Sequence, residues 1–367
     1  MTPFTPESPT LETAEVDPKA KWLSDLLMAR DDCHILRLLN VIRAMGWSSP
    51  EVKDHFREQR FNADYVKHED TDLNWAKTMY NSLEQMDHAN HRFIRTERFL
   101  DLGCNPGGYS SYILRTCPHA TGMGISLPVE DAGYGCAIPD VLRPRIDIRE
   151  MDLTMIDLAP NLPKPDASHI TGSRALALHL VPLPFRRHEF DFVVGDAHHL
   201  RLHPDNEIRT WNWTRVLLSQ VLLALRAVQG GGTIFLKLSC VERALTARIL
   251  IAFTRISGST RTVKSKFLHA KRGSFYLLVR DIRVHTFAYR KLVAGLEKLW
   301  HTMTFGGPHG FGRDIHWDEQ DLITPWEEVM SPTGVNHIAR LGKPMWEIQH
   351  RALLKFLKEQ GVVYDSD

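Results

Sequence analysis

The sequence predicts an α/β fold, a mostly parallel seven-stranded sheet with helices on both faces, extended by helical N- and C-terminal regions. Three observations carry this expectation. Short apolar runs bounded by turn residues alternate with stretches of helical spacing between about residues 95 and 285, the pattern of parallel strands covered on both sides. One of these runs passes directly into a glycine-rich turn and then a helical pattern, from Phe99 to Leu114. Outside this region apolar residues recur only at helical spacing.

Taken in order, Met1 to about Lys19 carries turn formers and acids without periodic apolar residues and reads as a disordered tail, residues 1–20. A helical N-terminal region follows at 21–94. From Trp22 to Trp47 it holds Leu23, Leu26, Leu27, Ile35, Leu38, Leu39 and Ile42 at helical spacing, and a further helix is expected over Leu73 to His88. The α/β domain spans 95–285. Its strands are expected at Phe99–Leu102, Ala120–Ile125, Ile146–Glu150, Phe190–Val194, Thr233–Leu238, Arg261–Ser265 and Phe275–Arg280, with a helix over Thr214–Val228. The Pro- and His-rich stretch Pro160–His188 is too long for a tight connection and reads as an insertion at the sheet's edge, with a helical turn at Ser173–Leu180. Helical spacing returns at Phe287–Trp300 and Met345–Phe356 in a C-terminal extension, 286–367, around a Gly-rich loop at Gly306–Trp317.

The bulk properties restrict the function classes. A chain of 367 residues with 43% hydrophobic and 24% charged residues can bury a sizeable core, and no apolar run approaches the roughly 20 residues that span a bilayer. No membrane partner is expected. The five cysteines, Cys33, Cys104, Cys117, Cys136 and Cys240, show no paired spacing for a metal site. Together with an N-terminus lacking a signal-like apolar stretch, they point to the cytoplasm or nucleus. The net charge of +1 gives no overall attraction to polyanions, yet residues 241–300 hold thirteen Lys and Arg against Glu242, Asp281 and Glu297. This basic segment is either a phosphate-contacting surface or a solvated face.

The segment Phe99-Leu100-Asp101-Leu102-Gly103-Cys104-Asn105-Pro106-Gly107-Gly108-Tyr109-Ser110 is a strand entering a glycine-rich turn. Glycines there permit close approach to the backbone, and the first N–H groups of the following helix favour a polar ligand group. The spacing is neither G-x-G-x-x-G nor a phosphate loop. It is similar to the first motif of FtsJ-like RNA ribose 2′-O-methyltransferases, in which Asp-Leu-Gly, two small residues, Pro-Gly-Gly, an aromatic and Ser follow one another.

The resemblance covers Phe99 to Arg280 and implies a class I methyltransferase (Rossmann-like) fold, S-adenosylmethionine as methyl donor and RNA as partner. It implies that Asp101, Gly103, Cys104, Asn105, Pro106, Gly107, Gly108 and Tyr109 hold the donor. Ser126 stands at the end of the second strand, where the family has a ribose-binding acid, with Glu130 or Asp131 just beyond. Asp152 and Leu153, in Arg149-Glu150-Met151-Asp152-Leu153-Thr154, resemble the element that meets adenine, the alternative for Asp152 being a helix-end carboxylate. The family's Lys, Asp, Lys, Glu tetrad implies Asp196, closing the fourth strand, and Lys237, ending the fifth, as catalytic residues; Asp196 also borders the donor. The first-lysine position aligns with Asn81, and Lys77 one turn earlier is the candidate in its place. Ser274 stands where the glutamate is expected, leaving His269 or His198 as possible contributors.

Three functions fit these residues: methyl transfer to an RNA ribose hydroxyl, O-methylation of a small molecule or protein, and non-catalytic binding of the donor or of RNA.

Overall fold

The computed structural model describes residues 19–65, 71–131, 133–164, 180–198, 211–308 and 310–362. The expected N-terminal tail and the helical turn at Ser173–Leu180 fall almost entirely outside them.

Among the described residues the helical N-terminal region has four α-helices, α1 (Lys19–Ala29), α2 (His34–Ser48), α3 (Pro50–Tyr65) and α4 (Thr71–Ala89). The sheet follows, with β1 (Arg98–Leu102), α5 (Gly108–Thr116), β2 (Thr121–Ser126), β3 (Ile146–Glu150), β4 (Phe190–Gly195), α6 (Asn212–Ala227), β5 (Val228–Ser239), α7 (Ala244–Arg255), β6 (Ser257–Val263) and β7 (Ser274–Ile282). The C-terminal extension comprises α8 (Phe287–Phe305), the one-turn α9 (Trp326–Val329) and the long α10 (Pro332–Glu359).

The seven strands lie in the order β3-β2-β1-β4-β5-β7-β6, and β7 pairs antiparallel with both of its neighbours while the others run parallel. This is the class I methyltransferase sheet that the first motif implied. Chain order reverses between β1 and β4, and ligands of open α/β sheets bind at such a point, beyond the strands' C-terminal ends.

Side-chain alternation along the strands separates two cores. Leu100, Leu102, Val193, Leu236 and Leu277 face one side with α6, α7, α8 and α10. Phe99, Phe192, Phe235, Tyr276 and Leu278 face the other with Met79, Leu83 and Met86 of α4 and Tyr109, Tyr112 and Ile113 of α5. The flanking helices join the first core: Leu23, Leu27, Leu36 and Leu39 of α1 and α2 pack in the same cluster as Leu353 and Leu357 of α10. Leu26 and Leu38, expected on the buried stripe, are exposed instead. The cluster takes only one narrow face of each short helix.

Candidate active site

Each site residue enters from the C-terminal end of a strand or from the turn that follows it. β1 delivers Asp101 on the α4 and α5 side, and its buried Oδ2 accepts a hydrogen bond of 2.6 Å from Ser110 Oγ at the start of α5. Its other oxygen, Oδ1, is buried without a hydrogen-bond partner. Burial, and secondarily the neighbouring Asp196 charge, push this carboxyl up to about 7 against the pull of Ser110.

The turn after β1 is held by the chain itself. Gly103 and Cys104 both donate to Ile125 O at the end of β2. Gly103 has φ +83°, and a Cβ there would lie 2.7 Å from the Ala197 backbone; Gly107 has φ +105°, and a Cβ there would meet Ile138 at 2.2 Å. A Cβ on Gly108 would strike Ala76 O of α4 at 2.2 Å. The three glycines therefore admit neighbouring protein segments, where the sequence suggested only room for a ligand. The segment after β2 folds against this turn: Asn105 Nδ2 donates to Tyr134 O at 3.0 Å, and Ala137 N donates to Pro106 O at 2.8 Å. Pro106 and Tyr109 thus belong to a fixed cradle, with Tyr109 fully buried.

Ser126 is buried at the end of β2, and its carbonyl accepts from Met151 N at 2.8 Å. Glu130 is exposed beyond it. Asp152 takes the capping geometry: Oδ1 accepts from both Thr154 N and Thr154 Oγ1 at 2.8 Å. Leu153 is part of the main core.

The reacting centre is a buried polar chain. Lys237 Nζ lies 2.8 Å from Asp196 Oδ1, the lysine being slightly exposed and the aspartate buried. Tyr276 O–H donates to the same Asp196 oxygen at 2.8 Å and is itself 2.7 Å from Tyr109 OH. Strand register explains the grouping, because Tyr276 of β7 is the direct partner of Lys237 of β5. The Tyr276 ring stacks on Phe235, two residues before Lys237, with centroids 4.4 Å apart. Burial, and then the Asp196 charge, drive the Tyr276 hydroxyl well above its ordinary value, so it stays protonated and donating.

Lys77 does not join this group. It is exposed on α4, whose buried face is formed by Ala76, Met79, Ser82, Leu83 and Met86. Asn81 is exposed as well, and Ser82 is the α4 residue that reaches a small cavity shared with Lys237, Lys264, His269, Ser274 and Tyr276. The reason is helical phase: a residue one position beyond Asn81 turns about 100° and faces the sheet. Ser274 lies where expected, on the same face of β7 as Tyr276, but brings no carboxylate.

Two further residues of the β6–β7 connection line the cavity. His269, at φ +56°, is held neutral by burial and by the Lys237 charge, its value falling to about 3. Lys264 is buried, its Nζ donating to the carbonyls of His269, Arg272 and Ser274 at 3.1, 2.7 and 2.5 Å. Burial lowers it to about 7. It fastens the loop that carries His269. His198 is exposed, with Nδ1 3.4 Å from Asp196 O. Sequence reading assigned no role to Tyr276, Lys264 or Ser82; the alternation Ser274, Tyr276 opposite Lys237 was the available signal for the first.

Part of the basic segment is engaged in structure. Arg248 pairs with Asp321, Arg255 with Glu328, and Lys271 lies 4.0 Å over the Phe356 ring. Among the described residues there is no group of three or more His, Cys, Asp or Glu able to hold a metal, and no helix is long and apolar enough to cross a membrane.

S-Adenosylmethionine fits this site by its charge. The donor carries a sulfonium and an ammonium, and the adjoining ends of β1 and β4 offer Asp101, with a buried unpartnered oxygen, beside Asp196.

A family model described as FtsJ-like methyltransferase matches residues 82–281, more than half of the chain. No curated protein sequence matches it. Solved structures similar to the chain include a protein from Plasmodium falciparum assigned as a ribosomal RNA methyltransferase, at 18% identity, covering 55% of this chain and 96% of that one with a TM-score of 0.35. An O-methyltransferase family protein from Burkholderia thailandensis is 15% identical over 68% of this chain and 72% of its own, with a TM-score of 0.33. Phosphoethanolamine N-methyltransferase 1 of Haemonchus contortus, in complex with phosphoethanolamine and S-adenosylhomocysteine, is 12% identical over 70% and 54%, with a TM-score of 0.36.

Proposed function

The chain belongs to the FtsJ-like methyltransferase family, enzymes dependent on S-adenosylmethionine, and on that premise we propose that its acceptor is an RNA ribose 2′-hydroxyl. The observation that carries the proposal is the Lys237–Asp196 ion pair at the ends of β5 and β4, beside the glycine-rich turn. In this reading the turn from Asp101 to Tyr109 holds the donor, with Ser126 and Asp152 at its nucleoside end. S-Adenosylmethionine supplies an electrophilic methyl group on its sulfonium.

The protein's part is positioning and proton handling. Asp196 fixes the Lys237 amine, and Tyr276, donating to the same carboxylate, fixes Asp196. Starting as the neutral amine, Lys237 would take the acceptor hydroxyl's proton as that oxygen displaces S-adenosylhomocysteine from the methyl carbon, and the resulting ammonium would pair with Asp196. Fixed geometry of this kind supplies much of the barrier reduction in a displacement between two bound groups. Asn81 and Ser274 stand at the family's first-lysine and glutamate positions, so the cavity beside Lys237 is lined instead by Ser82, Lys264, neutral His269 and the phenol of Tyr276.

The test is labelled-methyl transfer to total cellular RNA, with nuclease digestion to locate the label on the ribose. Lys237→Ala is expected to lower transfer by about 10²–10⁴-fold while donor binding, followed by calorimetry, persists. Label appearing on a small molecule or a protein and none on RNA would overturn the RNA assignment, and undiminished transfer in the variant would overturn the role of Lys237.

A further inference from the structure

Several arginines in the structure have an acidic partner: Arg43 pairs with Glu242, Arg98 with Glu189, Arg149 with Asp147, Arg226 with Glu297, Arg248 with Asp321 and Arg313 with Glu319. Three that face one another do not. Arg261 of β6 and Arg280 of β7 lie on the same face of the sheet, the side carrying α4, because Arg261 pairs with Leu278 and Arg280 with Ser259 in the antiparallel ladder. They are therefore diagonal neighbours, within reach of each other's long side chains. Arg95, in the segment joining α4 to β1, adds a third guanidinium to the group.

Arg95 and Arg261 are exposed and Arg280 is half-buried. Burial, followed by the charges of Arg261 and Arg95, disfavours the charged form of Arg280. Among the described residues the carboxylate that offsets this is Asp87, whose oxygens are already engaged by Tyr112 O–H at 2.8 Å and Ile94 N at 2.9 Å. The opposite face of β6 is covered, with Thr262 Oγ1 bonded to Leu341 O of α10. The arginines lie on the side left open.

Like charges gathered without a counter-charge are unfavourable until an anion sits among them, and guanidinium groups suit phosphate, which they bind through paired N–H donors. Arg280 lies four residues along β7 from Tyr276, about 13 Å at the rise of an antiparallel strand. A few extended nucleotides span that distance. Exposed Lys266 and Phe267 follow the Val263–Tyr276 pair at the start of the β6–β7 loop, where Lys266 N is held by Gln85 of α4.

We propose that Arg95, Arg261 and Arg280 form a phosphate-contacting patch that binds the RNA backbone a few nucleotides from the methylated ribose. The proposal rests on RNA being the acceptor. The patch reads no bases; it holds the strand in register, as phosphate contacts do.

The experiment compares the wild-type chain with Arg261→Gln/Arg280→Gln and Arg261→Lys/Arg280→Lys in binding a single-stranded RNA over a range of salt concentrations, with donor affinity measured on each. The glutamine variant is expected to bind RNA at least tenfold more weakly at low salt, with the slope of log affinity against log salt reduced by about 1.4 for two lost contacts. The lysine variant keeps the charge and is expected to recover most of the loss, and donor affinity stays as in the wild type. Unchanged RNA affinity and slope in the glutamine variant would overturn the patch while leaving the RNA reading intact. Wild-type protein that binds the donor but no RNA would overturn both. Inorganic phosphate binding that is lost in the glutamine variant while RNA binding survives would assign the patch to a free anion and overturn the RNA partner.

Discussion

Asp101 combines an ordinary sequence position with an unusual state. Its folded value of about 7, raised from 3.8 by burial and by Asp196, means that folding favours the protonated form. The associated stability is fully present below about pH 4 and is lost as pH rises toward 7. The donor-free protein is therefore expected to lose thermal stability across that window, and Asp101→Asn to flatten the loss. A cationic donor favours the ionised carboxylate, so donor affinity is expected to rise between about pH 6 and 8 in the wild type but not in Asp101→Asn. Calorimetry over this range checks it, and identical profiles for the two proteins would remove Asp101 from the donor site. Tyr276→Phe keeps the stack on Phe235 but deletes the hydrogen bond to Asp196. It is expected to lower kcat by about tenfold, the size of one lost hydrogen bond to a charged group, with little change in KM. Asp196 and Lys237 were legible because each closes an apolar strand in a recognisable setting. Ser82 was not, because one residue of helical phase separates an exposed position from a buried one.

Among the elements, the strands of the sheet were legible because apolar runs and turn residues are local signals. The structure extends β5 back to Val228 and begins β6 at Ser257, earlier than the apolar runs alone indicate. Two helices left no such signal. α3 has few apolar residues and so no clear stripe. α7 is buried on nearly every side, and its apolar run Ile249-Leu250-Ile251-Ala252-Phe253 is as compatible with a buried strand as with a helix. The glycine-rich turn fails as a unit if its backbone is strained: Gly103→Ala places a Cβ against Ala197 at a positive φ. It is expected to cost about 1–3 kcal/mol in denaturant unfolding and to weaken donor binding. An unfolding midpoint equal to wild type would show that the turn can relax. The flanks are tied to β5 in a similarly specific way. Glu242, three residues after β5, accepts from Arg43 of α2 at 2.8 Å and from Trp346 Nε1 of α10 at 2.9 Å, and Arg43 also donates to Gln349 at 2.7 Å. Gln349 in turn donates to Lys271 O in the loop that carries His269. Arg43→Ala leaves Glu242 buried without its cation, which typically costs about 3–5 kcal/mol; thermal unfolding measures the loss.

At the scale of the whole molecule, the helices outside the family match complete the sheet's core. Leu341, Met345, Trp346 and Leu353 of α10 share one apolar cluster with α1, α2, α7 and the sheet. Truncation after residue 330 is therefore expected to give aggregated or unfolded protein, and a soluble, donor-binding fragment would show the extension to be dispensable. The sequence by itself determined the strand succession, the turn and the two residues that close β4 and β5, since each depends on neighbours a few positions away. Tertiary structure alone decided which charges remain available to a ligand. Arg43 finds Glu242 across 199 residues, and Arg248 and Arg255 find Asp321 and Glu328 across 73. Spacing along a chain carries no information about partners that distant, so a basic segment divides into internal ties and an open charged surface only when the chain has folded.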